Sequence, residues 1–309
     1  MRRVLGYTLL VFGLTLVFLA PFLLGYSVPR IEKAPTDTDQ NVVSDGFASY
    51  FSAKQLQLVG PSPVQDIETL RGVPQDSTDS VAVVAYRSNL VNRTTGESIA
   101  YDQETYAMDR HTGIAANCCG EKPKMTGVTL KFPFGTQKTT YQLWDPSANT
   151  SFAVRYVRTQ DLRGVSADVF FGSSSDINIG TLDLPNSLVG VEGKGLTTEQ
   201  QMYQADTTVW VEPTTGQVLQ GEKHIHQWAA DASGTTVLEL ADVHVQYDDA
   251  TVSKFTSDAK KNVQQLKLVK QGIPLFGGIL GVIAAVVGLL LLRRPRERAT
   301  EDAPVAAAA

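Results

Sequence analysis

The chain carries a long uncharged apolar run near each end, at residues 4–24 and 273–292. Each run is long enough to cross a bilayer as a helix. Basic residues flank both runs on the side away from the middle of the chain, namely Arg2, Arg3, Arg293, Arg294, Arg296 and Arg298. The positive-inside rule therefore predicts two cytoplasmic termini and an extracytoplasmic segment between the runs.

The alternative for the first run is a cleaved signal peptide, which has a shorter apolar core followed by a small-x-small cleavage site. Residues 25–30 contain no such site, so we expect a retained anchor. In the second run Gly277 and Gly281 form a G-x-x-x-G pattern, which predicts close approach of another helix, most simply the first anchor. The chain is then expected to comprise a cytoplasmic N-terminus (1–3), a transmembrane helix (4–24), an extracytoplasmic domain (25–249), a juxtamembrane helix (250–271), a second transmembrane helix (273–292) and a cytoplasmic tail (293–309).

Composition and motifs exclude several function classes. The net charge of −5 is spread along the chain, which argues against nucleic acid as a partner and against a polybasic grip on anionic lipid. The sequence contains no G-x-S-x-G, H-E-x-x-H or Walker A motif, and no G-x-G-x-x-G after a strand. We therefore expect a protein that is not an enzyme and that has no cofactor and no metal site.

The residues between the two apolar runs predict β structure. Four short turn sequences place a glycine where a hairpin needs a positive φ, at residues 96, 113, 216 and 234. Regularly spaced strands with such turns predict a mainly β (α+β) ectodomain built from antiparallel sheet, lying between the two terminal transmembrane helices. The segments rich in Val, Thr and aromatic residues are 81–86, 126–132, 139–144, 152–157, 165–171, 207–211, 217–228 and 235–247.

A weak internal repeat accompanies this pattern. The sequence Leu-Arg-Gly-Val at 70–73 recurs at 162–165, and the spacing of Tyr101 and Gly113 is echoed by Tyr203 and Gly216. Two duplicated β lobes, at about 42–145 and 146–249, would explain both echoes. The alternative is that hairpins within one protein resemble each other.

The periodicity changes before the second anchor. Between residues 250 and 271 apolar side chains recur at intervals of three and four, at Val252, Phe255, Ala259, Val263 and Leu266. This pattern predicts an amphipathic helix that breaks near Gly272 and Pro274. Its apolar stripe is expected to pack on the sheet or to lie among lipid headgroups, and packing is the commoner outcome.

The two cysteines are adjacent, at Cys118 and Cys119. In an oxidising space they form a vicinal disulfide, pair between molecules or stay free. A vicinal disulfide closes almost no loop and would act as a local clip, which we prefer over redox chemistry. Two adjacent thiols without further ligands do not make a zinc site.

Three histidines fall on neighbouring predicted strands, at His224, His226 and His244. His224 and His226 are two residues apart and would point to the same face of a strand. Three imidazoles in one cluster could bind zinc. We prefer a surface row of histidines without a metal.

Aromatic residues supply the best candidates for a ligand surface. Curved sheets can enclose an apolar cavity suited to acyl chains. The alternative is that these rings fill the core, as most buried aromatic residues do. The set consists of Phe132, Phe134, Tyr141, Trp144, Trp210 and Trp228.

Several short motifs carry a family resemblance. They are Cys-Cys-Gly at 118–120, Leu-Lys-Phe-Pro-Phe-Gly-Thr at 130–136, Trp-Asp-Pro at 144–146 and Trp-Val-Glu-Pro-Thr-Thr-Gly at 210–216. Together with the two anchors they resemble the actinobacterial membrane proteins called PorA-family porins. The resemblance spans nearly the whole chain and implies a role in the assembly or trafficking of envelope glycolipids and lipoglycans.

On this basis we expect a plasma-membrane protein of the actinobacterial envelope that binds or hands over an envelope lipid, glycolipid or lipoglycan. Two alternatives stay open. One is a scaffold that contacts other envelope-biogenesis membrane proteins. The other is a porin-like channel, which the helical anchors disfavour because a spanning barrel needs outward-facing apolar strands instead.

Overall fold

The computed structural model describes residues 1–22, 25–26 and 28–293, so the tail predicted at 293–309 lies outside the described residues beyond its first position. The chain divides into two compact units, one formed by Met1–Ile31 with the chain from Gln265 onward, the other by Glu32–Gln264. The helices are α1 (Arg2–Phe22), α2 (Val28–Ile31), α3 (Asp249–Lys267) and α4 (Ile273–Leu292). The strands are β1 (Asp39–Ser52), β2 (Gln57–Gly72), β3 (Val81–Asn92), β4 (Ser98–Asp109), β5 (Thr140–Asp145), β6 (Thr150–Leu162), β7 (Val165–Ser173), β8 (Ile177–Pro185), β9 (Leu196–Glu212), β10 (Gln217–Ala230) and β11 (Thr236–Tyr247).

In the first unit, α1 and α4 pack against each other along a seam of glycines. Gly6 lies against Gly288 and Gly13 against Gly281, so the two helices run in opposite directions. A Cβ atom on Gly288 would lie 2.7 Å from the carbonyl oxygen of Gly6, and one on Gly281 would lie 2.7 Å from that of Gly13. Both helices are long and apolar enough to cross a membrane. In a bilayer, where lipid provides no hydrophobic drive for helix association, such close backbone approach is a typical basis for helix pairing.

The glycine seam corrects one detail of the sequence prediction. Gly281 contacts α1 as expected, but no described atom lies within 4 Å of a Cβ built on Gly277. The glycines in contact are spaced by seven residues on each helix, and not by four. A seven-residue repeat keeps one face in register in a left-handed helix pair, whereas a four-residue spacing is typical of right-handed crossings.

The predicted helix break near Gly272 and Pro274 is absent. After α3 the chain makes one turn of π-helix at Leu268–Gly272, and Gly272 and Ile273 both keep right-handed helical dihedrals as α4 begins. Pro274 lies at the start of α4. Within this continuous helix the proline removes one backbone hydrogen bond, and the wider π turn before it accommodates its ring.

In the second unit, all eleven described strands form one antiparallel sheet with the order β4-β3-β2-β1-β11-β10-β9-β7-β6-β5, and β8 pairs with β9 beyond the end of β7. Strands β1 to β4 form a meander, and β5, β6, β7 and β9 pair in the same sequential order. The predicted duplication stays a hypothesis, but the two echoed sequences fall at matching places. Residues 70–72 end β2 and residue 162 ends β6.

The segment between β4 and β5 links the two ends of this strand order. Ala115 bridges Met108 of β4, Ile114 bridges Val128, and Val128 bridges Leu143 of β5. The Trp144 amide also donates to the carbonyl of Val128 at 2.9 Å. Backbone pairing therefore closes into a ring at this end, which gives the sheet an inner face and an outer face.

One predicted strand is wrong. Residues 126–132 form no strand, and within them Val128 makes only isolated bridges. Gly127 has a positive φ of 70°, and a Cβ there would collide with the carbonyl oxygen of Gln142, so this segment crosses β5 closely without running along it. β-rich composition alone does not supply a neighbouring strand to pair with.

All four predicted turns have the expected glycine at positive φ, with values of 72°, 70°, 73° and 86° at Gly96, Gly113, Gly216 and Gly234. The structure adds a shared capping group. At each turn one side chain accepts hydrogen bonds from two backbone amides of that turn. The residues are Asn92, Asp109 and Glu212, which end β3, β4 and β9, and Asp231, which directly follows β10. These side chains replace backbone partners that the tight turn cannot provide.

Helix α3 packs on the sheet through its apolar stripe, as preferred from the sequence. Phe255 is 4% exposed and Ala259 is fully buried, and the Phe255 ring lies 6.2 Å from that of Tyr247 at the end of β11. Lys260 donates to the carbonyl of Arg163 at 2.6 Å, in the turn between β6 and β7. The helix thereby joins the two halves of the strand order to one core.

Candidate functional site

A groove of about 530 Å³ crosses the outer face of the sheet where β9, β10 and β11 lie side by side. Side chains alternate between faces along a strand, so Glu222 and His224 of β10 share this face with Asp242 and His244 of β11. The groove is lined by Phe171, Asp206, Thr208, Glu222, His224, Asp242 and His244.

Two imidazole–carboxylate pairs cross the floor of the groove. His224 Nε2 lies 2.9 Å from Asp242 Oδ1, and His244 Nε2 lies 2.8 Å from Glu222 Oε1. The two imidazole rings are 5.9 Å apart and directly opposite each other on neighbouring strands. Each pair fixes the orientation of one imidazole, so the polar floor has a defined set of donors and acceptors.

The third histidine continues the row away from the groove. His226 Nε2 lies 2.7 Å from Glu239 Oε2, and its ring stacks on Trp228 at 4.7 Å. Within the part of the chain that the structure describes, no group of three or more His, Cys, Asp or Glu side chains is arranged to hold a metal ion. The three histidines therefore form a surface row in which each faces a carboxylate.

Exposed aromatic rings flank this polar floor. Phe171 lines the groove and is 43% exposed. Phe47 of β1 is 63% exposed and pairs opposite His244, which places its ring on the same outer face. Between them, Asp206 lies opposite His224 and adds a further carboxylate. Aromatic faces beside hydrogen-bonding groups suit a ligand with both apolar and hydroxylated surfaces.

The inner face carries a second polar arrangement, which we call the acidic layer. In the pairing register, Glu68 of β2 lies opposite Ser88 of β3, which in turn lies opposite Asp102 of β4. These side chains occupy positions where an ordinary β domain would have apolar residues. The layer contains Asp66, Glu68, Asp102, Glu104, Asp145 and the lysine Lys223.

Lys223 is held by the most buried carboxylate of the layer. Its Nζ lies 2.7 Å from Asp145 Oδ1, and the Asp145 side chain is 1% exposed. Tyr203, which is fully buried, donates from its hydroxyl to Asp145 Oδ2 at 2.6 Å. Burial by itself lowers the pKa of Lys223, but the ion pair with Asp145 outweighs burial and raises it above its ordinary value.

The other carboxyl groups of the layer are harder to ionise than usual. Burial raises the pKa of Asp66, Asp102 and Glu104. Burial and the neighbouring charge of Asp66 raise the pKa of Glu68 to about 7, against a lowering effect of the hydrogen bond from Tyr86. Such shifts are common at functional sites and also in structural ion networks, so they do not by themselves identify a ligand.

The aromatic residues proposed as a ligand surface lie mainly in the packed core. Phe132 is fully buried, and Trp144, Trp210 and Trp228 are at most 8% exposed. The Phe132 ring packs 5.2 Å from that of Tyr141. Phe134 stacks on His111 at 5.6 Å, outside this cluster. The structure thus places Phe132, Tyr141, Trp144 and Trp210 in the core, which is the arrangement given as the alternative from the sequence, whereas Phe134 and Trp228 stack on histidines outside it.

The two cysteines are bridged to each other. They occupy a turn in which the amide of Glu121 donates to the carbonyl of Cys118 at 3.0 Å, and Cys119 has a positive φ of 60°. Lys122 and Thr105 exchange two backbone hydrogen bonds, which attach this turn to β4. Neither cysteine lines the groove, whose residues all follow position 170 in the sequence.

Sequence reasoning missed the carboxylates of the groove and the whole acidic layer. A signal for the layer was present, because Asp66 with Glu68 and Asp102 with Glu104 are each spaced by two residues. That spacing places both members on one face of a strand. The groove carboxylates Asp206 and Asp242 gave no such signal, since they become neighbours only through strand pairing.

Comparisons with known proteins cover nearly the whole chain. The profile of the family described as Porin PorA matches residues 5–290. A protein named Porin PorA from Corynebacterium amycolatum is 22% identical over 378 aligned residues, which cover 93% of this chain and 98% of that protein. Among solved structures, a MaoC domain protein dehydratase from Chloroflexus aurantiacus aligns over 80% of this chain and 90% of its own at 11% identity, with a TM-score of 0.14. That score is too low to indicate a shared fold.

Proposed function

Because the chain belongs to the Porin PorA family of membrane proteins, we propose that it is a non-catalytic, membrane-anchored protein of the cell envelope that binds the polar head of an envelope lipid, glycolipid or lipoglycan in its outer groove. The observation that carries this proposal is the groove itself, where paired imidazoles and carboxylates lie between two exposed phenyl rings.

The size and chemistry of the groove support a small hydroxylated headgroup. Its volume of about 530 Å³ falls within the usual range of ligand pockets. Carboxylates such as Asp206 accept hydrogen bonds from hydroxyl groups, and the exposed ring of Phe171 offers an apolar face on which a sugar ring can lie. An acyl chain has no comparable partner there, so the proposal concerns the head of the lipid and not its tails.

We further propose that both termini are cytoplasmic and that the β domain faces outward. Arg2 and Arg3 at the start of α1 support this topology, as does Arg293 at the end of α4. With that topology the groove faces the extracytoplasmic space.

A channel formed by the β domain in lipid is disfavoured by the outer face of the sheet. A lipid-embedded barrel presents a band of apolar side chains outward. Here the exposed outward positions include Arg87 on β3, Gln103 on β4 and His224 on β10. Burying such groups in hydrocarbon would be costly, so a lipid-embedded barrel does not suit this sheet despite the porin name of the family.

The test uses the full chain, purified in detergent micelles from an actinobacterial host and analysed by native mass spectrometry. We expect a bound envelope lipid in the wild type and roughly thirtyfold weaker retention in a Phe171→Ala, Asp206→Asn double variant, since two contacts worth about 1 kcal/mol each are removed. Tyr101→Ala is the matched control, because Tyr101 is an exposed outward aromatic residue of β4 outside the groove.

Two results would overturn the proposal. One is a wild-type protein that retains no lipid and takes up none from an envelope extract. The other is equal retention in the groove variant and the wild type, which would place the lipid elsewhere. Stepwise ion conductance of the purified chain in planar bilayers would favour the channel instead.

A further inference from the structure

On the inner face of the sheet, the acidic layer contains five carboxyl groups and one lysine, Lys223, which is already ion-paired with Asp145. We propose that Glu68 and its neighbours form a proton-dependent stability switch. The folded domain holds one proton on the Glu68 carboxyl and becomes less stable when that proton leaves. This inference concerns the interior of the domain and is independent of the outer groove.

The geometry around Glu68 leaves little room for a second negative charge. Tyr86 donates its hydroxyl to Glu68 Oε1 at 3.0 Å, and Ser88 donates to Asp66 Oδ1 at 2.7 Å. Glu68 and Asp66 are two residues apart on β2 and therefore point to the same inner face. Each carboxylate thus has a neutral donor, but the two are close enough that ionising one disfavours ionising the other.

The charges that act on Glu68 come from several strands. Lys223 favours its ionised form, whereas Asp66 and Asp102 oppose it. Since the Lys223 ammonium is ion-paired with Asp145, it stabilises the ionised form of Glu68 less than an unpaired ammonium would. The titratable groups that face this part of the interior are Asp66 on β2, Tyr86 on β3, Asp102, Glu104 and Tyr106 on β4, Asp145 on β5, Tyr203 on β9, Lys223 on β10 and Tyr247 on β11.

The direction of the pH effect follows from linkage. The folded-state pKa of Glu68 is about 7, above its ordinary value of 4.5, so the folded state holds a proton that the unfolded state has lost between these two values. The contribution of this group to stability is fully present below pH 4.5 and is lost as the pH rises through 7. Across that window the folding equilibrium constant falls by up to about tenfold per pH unit on account of this group alone.

The experiment measures urea unfolding of the full chain in micelles at pH 5.5 and 7.5, followed by tryptophan fluorescence. The Glu68→Gln variant keeps an acceptor for Tyr86 but cannot ionise. We expect the fall in the folding constant between the two pH values to be at least tenfold smaller in Glu68→Gln than in the wild type. Glu192→Gln, which alters an exposed loop carboxylate, should retain the wild-type dependence.

Two further measurements keep the test decisive if Glu68→Gln does not fold. In Tyr86→Phe the lost hydrogen bond should move the midpoint of the pH dependence to a higher pH, because that bond favours the ionised carboxylate. In the wild type, calorimetry in two buffers at pH 6 should detect release of about one proton on unfolding. Proton uptake on unfolding, or an unchanged pH dependence in Glu68→Gln, would overturn the proposal.

Discussion

Replacing Lys223 by methionine should strongly destabilise the β domain, because it breaks a buried ion pair from one side. The substitution keeps most of the side-chain volume but leaves Asp145, which is 1% exposed, without the cation that lies 2.7 Å from it. Breaking a buried ion pair from one side costs about 3–5 kcal/mol. Because the Lys223 side chain is itself 25% exposed, we expect the lower end, ~3 kcal/mol, or about a hundredfold in the unfolding constant.

The loss should depend on pH. Lys223 also lowers the pKa of Asp66, Glu68 and Asp102 through its charge, so its removal makes all three carboxyl groups harder to ionise. Protonated carboxyl groups need no cation, and the penalty should therefore be smaller at pH 5 than at pH 7.5.

Urea unfolding of the full chain in micelles measures both effects, because all three tryptophans lie in the β domain. Lys254→Met, on the exposed side of α3, is the matched control and should change stability by less than about 0.5 kcal/mol. A loss below about 1 kcal/mol at pH 7.5, or an equal loss at both pH values, would refute the role given to Lys223.

Three further predictions address other parts of the molecule. Gly13→Leu should separate the two apolar helices, because even a Cβ there collides with the backbone of Gly281, whereas Gly277→Leu should leave them paired. Cysteine cross-linking between α1 and α4 would measure the difference, and equal cross-linking in the two variants would contradict the glycine seam. Phe255→Ala should cost about 3–5 kcal/mol in urea unfolding, since the side chain is 4% exposed in the core between α3 and the sheet; a cost below 1 kcal/mol would show that α3 is not part of that core. Asp109→Ala should lower stability by about 1 kcal/mol at pH 7 and have little effect near pH 2. Despite some burial, hydrogen bonds from its turn hold the pKa of this carboxyl below its usual value, and the stability that they give is lost as the pH falls. An unchanged Tm at pH 7 would count against this capping role.

The sequence predicted the fold class and the strands of the second half well, but it missed β1, β2, β4 and β8. The reason is visible in β2, where Gly60, Pro61 and Pro63 resemble loop residues and Asp66 and Glu68 occupy the inner face. A carboxylate at a core position removes the alternation of apolar and polar residues by which strands are recognised. The acidic residues on β2 and β4 thus concealed those two strands.

The candidate groove was only partly predictable. His224, His226 and His244 were placed on one face correctly, since the two-residue spacing and the neighbouring strand sufficed. Their partners were not, because Asp242 and Glu222 face the histidines across strands in a register that sequence does not specify. The tryptophans, in contrast, were candidates by residue type alone; Trp144 and Trp210 lie in the core, and Trp228 stacks on His226.

The glycine seam between α1 and α4 has a consequence for biosynthesis. Gly6 and Gly288 stand at opposite ends of the chain, with the entire β domain between them. During translation α1 enters the bilayer long before α4 has been made, so its glycine face must first meet lipid or another protein. The seam can close only after α4 has been made, so a chain truncated before α4 cannot form it.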